Sequence, residues 1–109
     1  MNVNITTESN RLTAVLSGEI DHHTASGIRK TIDAEIQMNK PEIIILDFSG
    51  VTFMDSSGIG LIMGRYRLAE IIKARISVVN IPQTLQRMVR LSGIEALGII
   101  KQDKAVTKQ

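Results

Sequence analysis

The 109-residue sequence has no cysteine and no tryptophan, only two prolines, and three aromatic residues: Phe48, Phe53 and Tyr66. Without cysteine there is no disulfide framework, no thiolate nucleophile and no structural zinc site of the usual kind. So few aromatics leave no stacking platform of the sort single-strand nucleic-acid binders use. Charge of one sign is also scarce. The net charge is +2, and Arg29, Lys30, Arg65, Arg67, Lys73, Arg75, Arg87 and Arg90 are scattered rather than clustered, so no nucleic-acid partner is expected. The longest apolar stretches, Glu42 to Phe48 and Gly58 to Gly64, fall far short of the roughly 18 residues a membrane span needs. Asn2 and Asn4 interrupt any apolar core of a signal peptide. A cytoplasmic protein with no membrane partner is the expectation.

What is present suits one compact domain, since 43% hydrophobic residues in 109 can furnish an ordinary core. Val3 to Thr7 and Leu12 to Leu16 read as neighbouring strands joined by a polar turn at Glu8-Ser9-Asn10. From Thr24 the period changes. Ala25, Ile28, Ile32 and Ile36 mark the buried face of a helix capped by Thr24 or His23 and ended at Lys40-Pro41. The continuous run Ile43-Ile44-Ile45-Leu46 predicts a central strand buried on both faces. A helix over Gly58 to Lys73, a strand over Ile76 to Val79, a helix from Pro82 through Leu91 with Gly93 at its C-cap, and a weak strand at Gly98 to Lys101 complete the pattern. The expected fold class is therefore α/β: a mixed, mostly parallel sheet of four to five strands with helices packed against it, over residues 1–101. Residues 102–109 read as a polar, frayed tail.

In such a sheet the functional crevice lies at the carboxyl ends of the strands, where Gly18-Glu19-Ile20-Asp21 and Met54-Asp55-Ser56 would emerge together. Ser56 and Ser57 stand just before an apolar helix, and either could cap it by accepting from a free backbone N–H. The same place would also suit a phosphoryl group, because a helix start offers unpaired N–H groups and a positive dipole end. Asp55 and Asp21 would repel that phosphate and leave a concentrated negative charge. Carried into an interface with no counter-ion, it costs about 2–5 kcal/mol, roughly 30- to several-thousand-fold in affinity.

Gly58, Gly60 and Gly64 follow in a G-x-G-x-x-x-G spacing that matches neither a dinucleotide fingerprint nor a phosphate loop. Each glycine inside a helix costs up to about 1 kcal/mol relative to alanine, so either close packing on the sheet or a bare strip for a partner's backbone must account for them. Ile59, Ile62, Met63, Tyr66 and Ala69 are the expected core face, with Leu61, Leu68 and Ile72 partly outside it. Asp21-His22-His23 is a poor metal site, because adjacent histidines rarely reach one ion. An acidic Mg²⁺ receiver built from Asp21, Asp47 and Asp55 lacks a lysine at the end of the last strand. Ser56 has no G-x-S-x-G elbow for acyl transfer. No metal, no cofactor and no catalysis are expected.

Gly18-Glu19-Ile20-Asp21-His22-His23-Thr24-Ala25, followed in the same order by Phe53-Met54-Asp55-Ser56-Ser57-Gly58-Ile59-Gly60-Leu61-Ile62-Met63-Gly64-Arg65-Tyr66, closely resembles the STAS-domain anti-sigma factor antagonists, above all their sporulation branch. Pro82 to Gly93 resembles the family's third helix, so the likeness spans nearly the whole chain. The resemblance implies that Ser56 is phosphorylated by an anti-sigma factor that is also an ATP-dependent serine kinase. It implies that the unphosphorylated form binds that factor and frees a sigma factor, and that a PP2C-type phosphatase resets Ser56. The choice of Ser56 over Ser57 rests on the resemblance alone. With Ser56 go the expected partner-binding residues Asp21, Asp55, Ser57, Gly58, Gly60, Leu61 and Gly64. A general-stress anti-sigma factor is the alternative partner. Two departures stand out: Lys73-Ala74-Arg75 replaces a glycine pair, so the usual helix cap is expected to be missing, and the final helix is reduced to a polar tail.

Overall fold

The computed structural model describes residues 2–101. Its elements run β1 (Val3–Glu8), β2 (Arg11–Ile20), α1 (Ala25–Asn39), β3 (Ile43–Met54), α2 (Ser56–Ile72), β4 (Arg75–Val79), α3 (Gln83–Ser92), a 3₁₀ turn (Ile94–Leu97) and β5 (Ile100–Lys101). They form one five-stranded sheet of order β1-β2-β3-β4-β5, with β1 antiparallel to β2 and every other pairing parallel. The β1–β2 hairpin turns on two residues, Ser9 (φ 51°) and Asn10 (φ 65°). Two positive φ values in a two-residue loop match the right-handed twist of the flanking strands.

From β2 onward each strand is laid down beside its predecessor in the same direction. Parallel crossovers are right-handed almost without exception, so three such steps place α1, α2 and α3 on one face of the sheet. The strands show the result: Leu12, Ala14, Leu16, Ile44, Leu46, Phe48, Ile76 and Val78 are buried on the helix side. On the other side Ile45 is half-buried and Ile43 is 36% exposed. The expectation of a central strand buried on both faces is thus corrected, because a sheet wound in one direction is covered once. Ile28, Ile32 and Ile36 of α1 and Leu85 and Val89 of α3 close the core. Each fully buried isoleucine contributes about 1.5–3 kcal/mol relative to exposure.

Strand β3 is longer than expected and reaches Met54, which carries the chain to the start of α2 without a loop. Strand β2 keeps pace with it through register shifts, one of them at Gly18 (φ 74°), which re-aims Glu19 and Ile20. The helix caps at Lys40 and Lys73 are both left-handed without glycine. At Lys73 the Lys73 N–H donates to Glu70 O at 3.2 Å and the Ala74 N–H to Ala69 O at 2.8 Å. The expected absence of a cap is therefore wrong: the usual hydrogen bonds are made, at a lysine. The polar tail lies outside the described residues.

Candidate functional site

The parallel pairing of β2 and β3, ending at Ile20↔Met54, delivers two turns to the same edge. They are pinned together where the Asp55 N–H donates to Ile20 O at 3.1 Å. In the first turn Asp21 Oδ1 accepts from the N–H groups of His23 (2.9 Å) and Thr24 (3.1 Å), while Thr24 Oγ1 accepts from the Asp21 N–H (3.0 Å) and donates to Glu19 O (2.9 Å). The Thr24 and His23 N–H groups hold the Asp21 carboxyl below its ordinary range. Thr24 does occupy the N-cap position of α1, yet its hydroxyl serves this turn rather than the helix. The His22 and His23 rings lie against each other with centroids 4.0 Å apart.

The second turn sets the two serines in different surroundings. Asp55 is extended (φ −103°, ψ −167°), and its Oδ1 accepts from the Ser57 N–H at 2.8 Å, so the carboxylate caps α2. Neither serine hydroxyl is the cap, which corrects the sequence expectation and frees both for other work. Ser56 is the first residue of the helix and is exposed; Ser57 is half-buried. Of the two, only Ser56 is exposed, at the first position of the helix, while the N–H groups of Ser57 and Gly58 donate to Asp55 Oδ1 and Asp55 O.

Beyond the turn, α2 buries Gly58, Leu61, Ile62, Arg65 and Ala69. The expected core face holds at Ile62 and Ala69 but is rotated toward Leu61, which is inside (4% exposed), while Ile59, Met63 and Tyr66 are half-buried. The helix is apolar almost all round, so its period alone cannot choose the buried side. The three glycines separate by role. A Cβ on Gly58 would collide with Met54 Cγ and its sulfur, so Gly58 lies under the helix and lets it close on β3. A Cβ on Gly60 or Gly64 would meet nothing within 4 Å. Close packing on the sheet therefore explains Gly58 and not Gly60 or Gly64.

Gly60 and Gly64, with Ser57 and Leu61, line one side of an open trough of about 350 Å³ whose other wall is His22 of the preceding turn with Ala25, Ser26 and Arg29 of α1. Arg65 also lines it, though the residue is only 5% exposed. Its Nε is 2.8 Å from Asp33 Oδ1 of α1, without the alignment of a hydrogen bond, and one Nη donates to Leu61 O at 3.4 Å. Burial lowers the Arg65 pKa, and burial raises that of Asp33 although Arg65 and Arg29 oppose the rise. Sequence inspection missed Arg29, Asp33 and the burial of Arg65. Their only signal was a charge on each of two helices, and that is indistinguishable from a solvated face.

The acidic cluster weighed earlier does not assemble. Asp47 Oδ1 accepts from the Ser49 N–H at 2.9 Å and Oδ2 from Asn80 Nδ2 at 3.2 Å, far down β3 from Asp55. Among the described residues no group of three or more His, Cys, Asp or Glu side chains is placed to hold a metal. No helix of the described residues is long and apolar enough to cross a membrane.

A family model described as the STAS domain matches residues 2–105. The chain belongs to the STAS family. Within it the chain is similar to the anti-sigma F factor antagonist of Paenibacillus polymyxa, 38% identical over 96 residues that cover 86% of this chain and 82% of that one. The unphosphorylated form of the anti-sigma factor antagonist SpoIIAA superposes with a TM-score of 0.80 at 30% identity, covering 92% of this chain and 86% of that one. The phosphorylated form of the Bacillus cell fate determinant SpoIIAA gives a TM-score of 0.72, also at 30% identity, over 92% and 89% of the two chains. This STAS domain thus stands among the anti-sigma factor antagonists, and its five-stranded mixed sheet with three helices is theirs.

Proposed function

We propose that this STAS domain is an anti-sigma factor antagonist switched by phosphorylation at Ser56, acting in the cytoplasm and without catalysis of its own. Unphosphorylated, it binds an anti-sigma factor that is also a serine kinase and so releases a sigma factor of the sporulation branch. Phosphorylation of Ser56 ends that binding, and a PP2C-type phosphatase restores it. The observation that carries this is the division of labour at the start of α2: Asp55 makes the cap, and Ser56 stays exposed and uncommitted. A phosphate there meets the helix's positive end without refolding anything. It also places its charge next to Asp55 and on the same edge as the Asp21 turn, where an approaching surface meets three anionic groups.

The test is incubation with ATP and the host's candidate anti-sigma kinase, followed by mass spectrometry of the peptide holding Ser56 and Ser57 and titration of the two proteins. Phosphate is expected on Ser56, with affinity reduced roughly 30- to several-thousand-fold. Ser56→Ala should bind constitutively and Ser56→Asp poorly; equal binding by the two, or phosphate on Ser57 alone, would refute the assignment. Binding to a general-stress anti-sigma factor in place of a sporulation one would keep the mechanism and change the pathway.

A further inference from the structure

The trough between α1 and α2 carries a charge that the switch at Ser56 does not use. Two guanidinium groups, Arg29 and Arg65, line it, and one carboxylate, Asp33, faces Arg65 Nε with its Oδ1 at 2.8 Å. One positive charge is left over. Arg65 is 95% removed from solvent, its Nε meets Asp33 Oδ1 at 2.8 Å without hydrogen-bond alignment, and its contact to Leu61 O is long at 3.4 Å, so its donors are only partly satisfied. A buried guanidinium with unused N–H groups is costly unless something else engages it. Arg29 is exposed, and among the described residues the one ion pair is Arg65 with Asp33. No acidic side chain lines the trough. Beside the cations, Gly60 and Gly64 leave the helix surface bare at Cβ, close enough for another backbone to lie against it.

We propose that this trough receives a carboxylate-bearing segment of the anti-sigma factor, its backbone crossing Gly60 and Gly64 and its Asp or Glu side chain pairing with Arg29 above the Arg65 guanidinium. The inference rests on the function proposed above and names the chemistry of the contact that follows the Ser56 edge. Charge complementarity selects the occupant: the trough is cationic, with Arg29 exposed on it and no acidic side chain in its lining, and asks for an acidic group. A small free anion is the poorer fit, since the trough is open and such an ion keeps its water.

The experiment measures binding of the full chain to the cognate anti-sigma factor for the parent, Arg29→Glu and Gly64→Leu. Arg29→Glu lies on the surface and should fold as the parent does, bind about tenfold more weakly and lose part of its salt dependence. Gly64→Leu enters open space, so it should melt no lower than the parent while binding at least about tenfold more weakly. Changing one acidic residue of the partner to lysine should restore binding to Arg29→Glu. Variants that bind within twofold of the parent, or the failure of every acidic-to-lysine change in the partner to restore Arg29→Glu, would overturn the trough assignment and leave the Ser56 switch standing. A parent chain that binds no anti-sigma factor of its host would bring down the proposed function and the trough with it.

Discussion

The two ends of α2 face the same problem, unpaired backbone groups at a helix terminus, and treat glycine in opposite ways. At the amino end Asp55 caps with its side chain and three glycines follow within nine residues, none at positive φ. At the carboxyl end the backbone does turn left-handed, at φ 63°, and there the residue is Lys73. Glycine is thus spent where the backbone does not need it and withheld where it does. Gly58 lets the helix close on Met54, whereas Gly60 and Gly64 keep the surface bare. The amino end is shaped for contact; the carboxyl end, with Ile71 at 76% exposure and a strained lysine, carries no comparable construction. Glycine content in a helix is therefore better judged by what a Cβ would meet than by helix propensity.

That contrast can be broken by substitution. The largest effect should come from Gly58→Ala. A methyl forced against Met54 in a filled core costs about 1–3 kcal/mol, offset by up to about 1 kcal/mol of helix propensity, so chemical denaturation should show a net loss. Adding Met54→Ala should remove the clash component; a Gly58→Ala protein as stable as the parent would refute the packing role. Next, Asp55→Ala removes the cap and should cost about 1 kcal/mol, read as a lowered thermal midpoint. If Ser56 or Ser57 took over capping, the loss would vanish. The smallest effect is a gain: Lys73→Gly relieves a left-handed residue and should stabilise by about 0.5–1 kcal/mol. A loss there would mean that the lysine side chain, and not the backbone, holds that end.

Much of the fold was legible because its signals are local. The change from period two to period 3.6 at Thr24, the apolar run at Ile43 and the glycine after Ser92 each act over a few residues, and each lies within the element or at the cap it predicted. Boundaries were less so: α2 begins at Ser56 rather than Gly58, since an extended aspartate can cap as well as a serine and moves the start of the helix back. The buried side of α2 was legible only in part: Ile62 and Ala69 are buried as expected, whereas Leu61 and Arg65 are buried against expectation. With Ile59, Leu61, Ile62, Met63, Tyr66, Leu68 and Ile72 spread around the axis, several faces are equally apolar, and contact with β3 and β4 makes the choice.

The sequence by itself therefore determined the order of strands and helices, the parallel sheet, and the meeting of the Asp21 and Ser56 turns at one edge. These follow from short-range periodicity and from the narrow rules by which βαβ units wind. Only the tertiary structure decided that the helices cover one face, that Gly58 is core while Gly60 and Gly64 are open, and that Arg65 sinks between α1 and α2 onto Asp33. Those outcomes depend on which surfaces are left facing one another once the elements pack. A residue's environment at that stage is set by neighbours distant in the chain, and no local pattern records them.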